Sequence, residues 1–164
     1  MKMGHDAVVL LQMGGPETLD DVQPFLNNLF ADPDIIQLPA PLRPLQPSLA
    51  RLVSRRRAPK VIPRYEAIGE GRGAASPIGR WTARQARALA DRLAAPVHVC
   101  MRYTPPRAQA VVQELAADHS RRVLLLPLYP HWSGSTTGSS VRDFARAAKA
   151  ARLDATASLV RSWT

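Results

Sequence analysis

Short apolar runs and longer amphipathic stretches alternate along this chain. Residues 7–11, 97–101 and 123–128 are mostly apolar, and residues 155–160 form a weaker run of the same kind. Continuous apolar runs of this length are typical of parallel strands that are buried on both faces. The sequence therefore predicts an α/β fold, a doubly wound sheet of about four parallel strands with helices on both faces.

Capping residues and prolines mark the helices between these strands. Thr18 and Ser76 are predicted N-caps, because a side-chain oxygen there can accept a bond from the first turn of a helix. Helices are predicted over residues 18–31, 76–93, from 105 onwards and 140–151. Six prolines between residues 39 and 63 predict only short helices between turns in that stretch.

Three loops follow predicted strands and are rich in glycine, proline and polar side chains: residues 12–18, 102–106 and 129–138. Ligands bind at the carboxyl ends of the strands in such sheets. The first loop contains Gly14 and Gly15 but lacks the G-x-G-x-x-G pattern of a dinucleotide site. The third contains His131 and several hydroxyl side chains but lacks the G-x-S-x-G pattern of a nucleophile elbow. The loops predict a ligand site with neither of these chemistries.

The net charge narrows the choice of ligand. The chain has 22 Lys and Arg against 13 Asp and Glu, a net charge of +9, with a dense basic cluster between residues 51 and 64. Aromatic residues make up only 5% and are not interleaved with this cluster, so nucleic acid is not expected as a partner. A small molecule that carries carboxylate or phosphate fits at least as well, because arginine binds such groups through two parallel hydrogen bonds.

Cysteine content and hydropathy set the expected compartment. Cys100 is the only cysteine, which excludes an internal disulfide. No apolar run approaches the ~18 residues that cross a membrane, and the first run is too short for the core of a signal peptide. A cytoplasmic location is expected.

At several candidate positions the residues alone leave two readings open. Arg64 and Tyr65 can clamp a flat anionic ligand, or they can be a surface arginine beside a half-buried tyrosine. Arg102 and Tyr103 follow a predicted strand and are expected to face a cleft. His131 either takes part in the chemistry of the site or is a loop residue that only makes hydrogen bonds.

Together, these motifs resemble the amino-terminal half of ferrochelatases, the iron-inserting enzymes of haem synthesis. The matching stretches occur in family order at residues 10–18, 22–35, 56–60, 64–69, 76–77, 101–103, 128–133 and 135–140. The resemblance implies a Rossmann-like, chelatase-type fold of two similar halves with a porphyrin cleft between them. Residues 1–164 are then expected to form a single α/β domain that is the first half, with the C-terminal half absent.

The resemblance also implies a set of substrate-binding residues. Met13 matches a residue that lies over one porphyrin face, where methionine favours protoporphyrin IX over coproporphyrin. The positions expected at the porphyrin edge, its propionates or the cleft wall are Arg56, Arg57, Arg64, Tyr65, Ser76, Arg102, Tyr103, Tyr129 and His131. No residue of this chain is assigned to a metal.

The implied function is insertion of Fe²⁺ into protoporphyrin IX to form protohaem, the last step of haem biosynthesis. This chain would supply one wall of the cleft and be inactive alone, because the family's Ser-Ala-His-Ser-Leu-Pro motif and metal-site glutamate belong to the second half. No catalytic residue is therefore assigned, and His131 is only a candidate. The alternatives are a half-size chelatase that works as a homodimer, with His131 as base, and a non-catalytic remnant that binds porphyrin or another anion.

The resemblance further defines the expected cofactors and partners. No resident cofactor is expected, since Fe²⁺ and protoporphyrin IX are substrates. Gly134 stands where some members carry a cysteine ligand of an iron–sulfur cluster, so no cluster is expected. The expected partners are porphyrin, the missing C-terminal half or a second copy of the chain, and a peripheral membrane contact.

Overall fold

A computed structural model describes residues 5–71 and 73–161. The strands are β1 (Ala7–Gln12), β2 (Val97–Met101), β3 (Arg122–Pro127) and β4 (Thr156–Leu159). The helices are α1 (Val22–Ala31), α2 (Gln46–Ile68), α3 (Ile78–Leu93), α4 (Ala108–Ala117) and α5 (Ser139–Ala150). The chain forms two compact units, one of residues up to 13 and from 80 onwards, the other of residues 14–79. The expectation of a single domain over residues 1–164 stays a prediction.

The four strands form one parallel sheet in the order β2-β1-β3-β4. β1 lies in the interior, where Val8 pairs with Val97 on one side and with Leu124 on the other. All five residues from Ala7 to Leu11 are buried. The predicted parallel sheet is confirmed, and each strand lies within two residues of its predicted position.

Successive side chains of β1 point to opposite faces of the sheet and into two apolar clusters. Ala7, Val9 and Leu11 belong to a cluster that includes α4 and α5. Val8 and Leu10 belong to a second cluster that includes Ala86 and Leu89 of α3. The helices therefore cover both faces, as the sequence predicts.

α1 and α2 pack together in the other unit. The buried residues of α1 are Val22, Phe25 and Leu26, and those of α2 are Gln46, Ala50, Ser54 and Ala58. These four positions of α2 recur every fourth residue, and all except Gln46 carry small side chains. This stripe allows the two helices to approach closely, while the large side chains of α2 remain outside it.

The prediction of only short helices over residues 39–63 is wrong. A short 3₁₀ helix covers Ala40–Leu45, and α2 then continues unbroken for 23 residues with Pro59 and Pro63 inside it. Each internal proline removes one hydrogen bond to the carbonyl four residues earlier. Both prolines are exposed, so water can satisfy the carbonyls that they leave.

The predicted helix starts are correct to within a few residues. Ser76 accepts a bond from the Ile78 N–H (3.4 Å) at the start of α3, as expected for an N-cap. Thr18 begins a 3₁₀ turn before α1, and its hydroxyl donates to Asp21 (2.7 Å). α4 begins at Ala108, after the two prolines rather than at them.

The loop predicted over residues 129–138 is shorter than expected. A π-helical turn covers Gly134–Gly138 and continues directly into α5. Ser133 stabilises this turn, because its carbonyl accepts a bond from the Gly138 N–H (2.9 Å) and its hydroxyl one from the Ser135 N–H (3.4 Å). Serine, threonine and glycine are weak helix formers in isolation, which is why the sequence predicts a loop here.

Asp6 carries a prediction about acid stability. Its carboxylate accepts bonds from the Arg122 side chain (3.0 Å) and from the backbone N–H groups of Arg121 (3.0 Å) and Arg122 (2.9 Å). The Arg122 guanidinium, followed by these backbone donors, holds the pKa of Asp6 below its ordinary value. A carboxyl whose pKa is lowered by folding stabilises the protein above its unfolded pKa, and this contribution is lost as pH falls through the folded pKa.

Asp6→Asn should therefore make the free energy of unfolding fall less steeply as the pH is lowered below about 5. Urea unfolding at several pH values measures this dependence. An unfolding free energy that falls with acid as steeply in Asp6→Asn as in the unaltered chain would contradict this assignment.

Candidate functional site

Backbone hydrogen bonds join the segments that follow β1, β2 and β3. The Arg102 N–H donates to the Gln12 carbonyl (2.8 Å), and the Tyr103 N–H donates to the Met13 carbonyl (3.0 Å). The Leu128 N–H donates to the Leu11 carbonyl (2.9 Å). The carboxyl ends of three strands therefore lie side by side, as expected for a parallel sheet, and they bring Met13, Arg102 and Tyr103 together.

Arg102 lies at the centre of a buried polar cluster. Its Nε donates to the Ser139 hydroxyl (2.7 Å), and its Nη1 lies 3.5 Å from the Asp143 carboxylate. The guanidinium also lies over the Tyr103 ring, 5.0 Å from its centroid. Arg102 and Tyr103 are both almost fully buried, so they form the interior of this edge rather than its surface.

Tyr129 follows β3 and reaches the start of α5. Its hydroxyl lies 3.2 Å from the Ser140 hydroxyl, within hydrogen-bonding distance. Burial raises the pKa of Tyr129 to about 12, against smaller opposing effects of the Ser140 hydrogen bond and the Arg102 charge. The phenol therefore stays protonated at neutral pH and can donate as well as accept. His131 and Trp132, which follow in the same loop, are exposed.

Cys100 lies on β2 next to this cluster but is not a reactive thiol. It is buried, and its pKa is raised to about 12, first by burial and then by the Asp143 charge. Since the thiolate is the nucleophile and metal ligand, a thiol that stays protonated contributes packing only.

The other unit holds the remaining predicted site residues. Arg64 and Tyr65 line an open cavity of about 370 Å³ with Val61 and Ile68. Tyr65 meets Phe25 edge to face, with ring centroids 6.4 Å apart. Burial raises the pKa of Tyr65, so it too stays neutral. The cavity therefore presents one cationic and one aromatic side chain beside two apolar ones.

Arg56, Arg57 and Ser76 lie elsewhere in this unit. Arg56 is exposed, and the Arg57 guanidinium lies 5.8 Å from the centroid of the Phe30 ring. Ser76 packs against Gly15, where an added Cβ would come within 2.8 Å of the Ser76 hydroxyl oxygen. The glycine at position 15 therefore permits the close approach of these two segments. None of the three lines the cavity of Arg64 and Tyr65.

Sequence reasoning missed Ser139, Ser140 and Asp143. Ser139 and Asp143 are one helical turn apart, so they share a face of α5. A charged residue such as Arg102 at the end of a buried strand needs polar partners. A serine and an aspartate four residues apart, directly after a hydroxyl-rich loop, are the signal that could have indicated these partners. In the described ranges 5–71 and 73–161, no group of three or more His, Cys, Asp or Glu side chains is arranged to hold a metal ion.

The fold and the strand-end cluster define an α/β protein with a buried polar cluster at the carboxyl edge of a parallel sheet. A sequence model of the family described as Ferrochelatase matches residues 5–164. The chain therefore belongs to the ferrochelatase family.

Individual relatives agree with the family match. The chain is 51% identical over 140 residues to "Ferrochelatase-1, chloroplastic/mitochondrial" of Arabidopsis thaliana, which covers 82% of this chain and 29% of that protein. It is 50% identical over 145 residues to "Ferrochelatase" of Synechococcus sp. (strain JA-3-3Ab), covering 85% of this chain and 41% of that protein. For "Ferrochelatase" of Gloeobacter violaceus the identity is 48%, covering 85% and 42%. The chain thus spans less than half the length of these curated relatives.

Proposed function

We propose that this chain is part of a ferrochelatase that inserts Fe²⁺ into protoporphyrin IX to form protohaem. The observation that carries the proposal is the meeting of Met13, Arg102–Tyr103 and Tyr129 at one sheet edge in a chain of this family. In this proposal the edge supplies one wall of the porphyrin cleft. By the family resemblance, Arg64 and Tyr65 are further proposed to bind a propionate; they place a cation and an aromatic ring at one cavity of the other unit.

The reaction explains why a rigid edge is useful. Fe²⁺ forms bonds to four pyrrole nitrogens while two of them release their protons, and a flat ring must bend to expose these nitrogens. Contacts remote from the nitrogens, such as an arginine on a propionate, can stabilise the bent ring. Arg102, Ser139 and Tyr129 are fixed by hydrogen bonds, so the wall does not need to reorganise.

The chain alone is proposed to bind porphyrin without inserting metal. The base and the metal-site glutamate that the family resemblance implies belong to its second half, and His131 is an exposed loop residue. The expected partners are therefore porphyrin and either the second half or a second copy of the chain. A homodimer with His131 as base and a non-catalytic remnant are the alternatives. The cytoplasmic location, like the absence of a resident cofactor, stays a prediction.

Titration of the pure chain with protoporphyrin IX, followed by the porphyrin's fluorescence, tests the proposal. Binding is expected, and Arg64→Ala should weaken it about tenfold, since a hydrogen bond to a charged group contributes about 1.5 kcal/mol or more. Arg87→Ala, which removes an exposed arginine of α3, is the matched control and should leave binding unchanged. The dimethyl ester of the porphyrin should bind the unaltered chain and Arg64→Ala with equal affinity, because its propionates carry no charge for Arg64 to bind.

Two outcomes would contradict parts of the proposal, and a third would exclude one of its alternatives. No porphyrin binding would remove the cleft-wall role. Steady metal insertion by the chain, seen as the spectrum of the metalloporphyrin, would overturn its incompleteness. Sedimentation of a monomer only, at concentrations where the chain inserts metal, would exclude the homodimer.

We also propose that α2 and the turn before it make a peripheral contact with an anionic lipid bilayer. Four leucines lie at helical spacing on one side and are unusually exposed: Leu42 46%, Leu45 58%, Leu49 38% and Leu52 49%. The buried residues of α2 are a different set of positions, Gln46, Ala50, Ser54 and Ala58. The side chains of Arg51, Arg55 and Arg56, which also belong to α2, are exposed as well.

This combination favours a lipid surface. An apolar face with basic flanks lies in the interface of a bilayer, with the leucines among acyl chains and the arginines at anionic headgroups. No helix within residues 5–71 and 73–161 is long and apolar enough to cross a membrane. The contact is therefore proposed as peripheral, through the four leucines, which we call the leucine face.

A further inference from the structure

Arg102 is a buried cation, and two of its partners come from one turn of α5. Ser139 is fully buried and accepts the bond from Nε at 2.7 Å, while the Asp143 carboxylate lies 3.5 Å from Nη1. A charge withdrawn from water is costly unless it is paired and hydrogen-bonded. Asp143 supplies the opposite charge, and its side chain is only 19% exposed.

The same turn of α5 also holds Tyr129. Ser140 follows Ser139 directly, is buried, and lies 3.2 Å from the Tyr129 hydroxyl. The position of Ser140 depends on the first turn of α5, and that turn is tied to the end of β2 through Ser139 and Arg102. A continuous set of contacts therefore runs from Asp143 to Tyr129.

We infer that Asp143 is a positioning residue for this edge, holding Arg102 against α5 and thereby placing Tyr129 for the ligand. The inference rests on the proposed function for its ligand, protoporphyrin IX. Asp143 does not need to touch the ligand, because it acts through Arg102 and the first turn of α5. Its second contact, with Arg146 at 3.3 Å, lies on the exposed side of the helix and does not belong to this set.

Fluorine NMR of the chain labelled with 3-fluorotyrosine reports the placement directly. The chain has three tyrosines, so three signals are expected. Tyr103 and Tyr129 belong to the cluster, whereas Tyr65 lies in the other unit and provides an internal reference. Tyr129→Phe removes one of the three signals and thereby assigns it to Tyr129.

Asp143→Asn should shift the signals of Tyr103 and Tyr129 while leaving that of Tyr65 in place. It should also weaken the binding of protoporphyrin IX about fivefold, the size expected for loss of one hydrogen-bonded interaction. Asp143→Glu should restore both properties, because it returns the carboxylate. Arg146→Ala, which removes only the exposed partner of Asp143, should change neither.

Ser139→Ala breaks the same set of contacts at a neutral group, so the test does not depend on the folding of Asp143→Asn alone. An unmoved Tyr129 signal in both variants would overturn the inference, as would a moved signal with unchanged porphyrin affinity. A shift of all three signals would indicate general loosening and would also overturn it. If the unaltered chain binds no porphyrin, the proposed function fails, and the fluorine signals alone decide whether Asp143 positions Tyr129.

Discussion

Leu11→Ala is expected to lower the free energy of unfolding by about 2–5 kcal/mol, the range for removing a fully buried leucine. Leu11 has no exposed surface and lies in β1, between β2 and β3. Its side chain belongs to the apolar cluster beneath α4 and α5. The surrounding strands cannot close the cavity, because their hydrogen bonds on both sides of β1 hold their spacing.

Leu45→Ala is the matched control for this measurement. The same atoms are removed, but Leu45 is 58% exposed, so the expected change is within about 0.5 kcal/mol. Urea unfolding of both variants, followed by circular dichroism, gives the two free energies. Equal losses in the two variants would show that Leu11 does not contribute to the core as described.

Replacing Leu45, Leu49 and Leu52 together by glutamate should abolish binding of the chain to anionic vesicles. Each substitution removes apolar surface that would leave water when the chain binds. The transfer of such surface from water stabilises binding by roughly 25 cal/mol per Å². Each new carboxylate is also repelled by the headgroups. Together these effects should weaken the binding at least a hundredfold, since each 1.4 kcal/mol is tenfold.

Co-sedimentation with vesicles of phosphatidylcholine and phosphatidylglycerol measures this binding. Binding of the unaltered chain should fall with added salt and in vesicles of phosphatidylcholine alone, because part of the attraction is electrostatic. Replacing three exposed neutral residues of α3 (Ala83, Gln85 and Ala88) by glutamate is the control, since it adds the same three negative charges outside the leucine face. Equal loss in both triple variants would indicate general charge attraction and remove the leucine face from the proposal.

The interior of the sheet could be predicted because β1 is buried on both faces. Such strands must be apolar at every position, and the runs at residues 7–11 and 123–128 carry this signal without help from neighbours in space. α2 could not be predicted in the same way. Its internal prolines are tolerated because they face water, and the exposure of a position is a property of the packed structure.

The meeting of the strand ends could be predicted from the sequence. The strand-end rule correctly places Met13, Arg102 and Tyr103 side by side, since in a parallel sheet topology alone brings the carboxyl ends together. It does not reveal that Arg102 and Tyr103 are buried, or that Asp143 is the counter-charge. Forty residues separate Arg102 from Asp143 along the chain, so no local pattern links them.

The amino-acid sequence by itself determined the order of the strands and of the helices other than α2, the family and the edge of the sheet where the polar loops meet. Each of these follows from periodicity or from short motifs, which act over a few residues. Only the tertiary structure decided which charges are paired, which leucines remain in water and which hydroxyls reach Tyr129. Those properties depend on distances between segments far apart in the chain, and packing alone sets such distances.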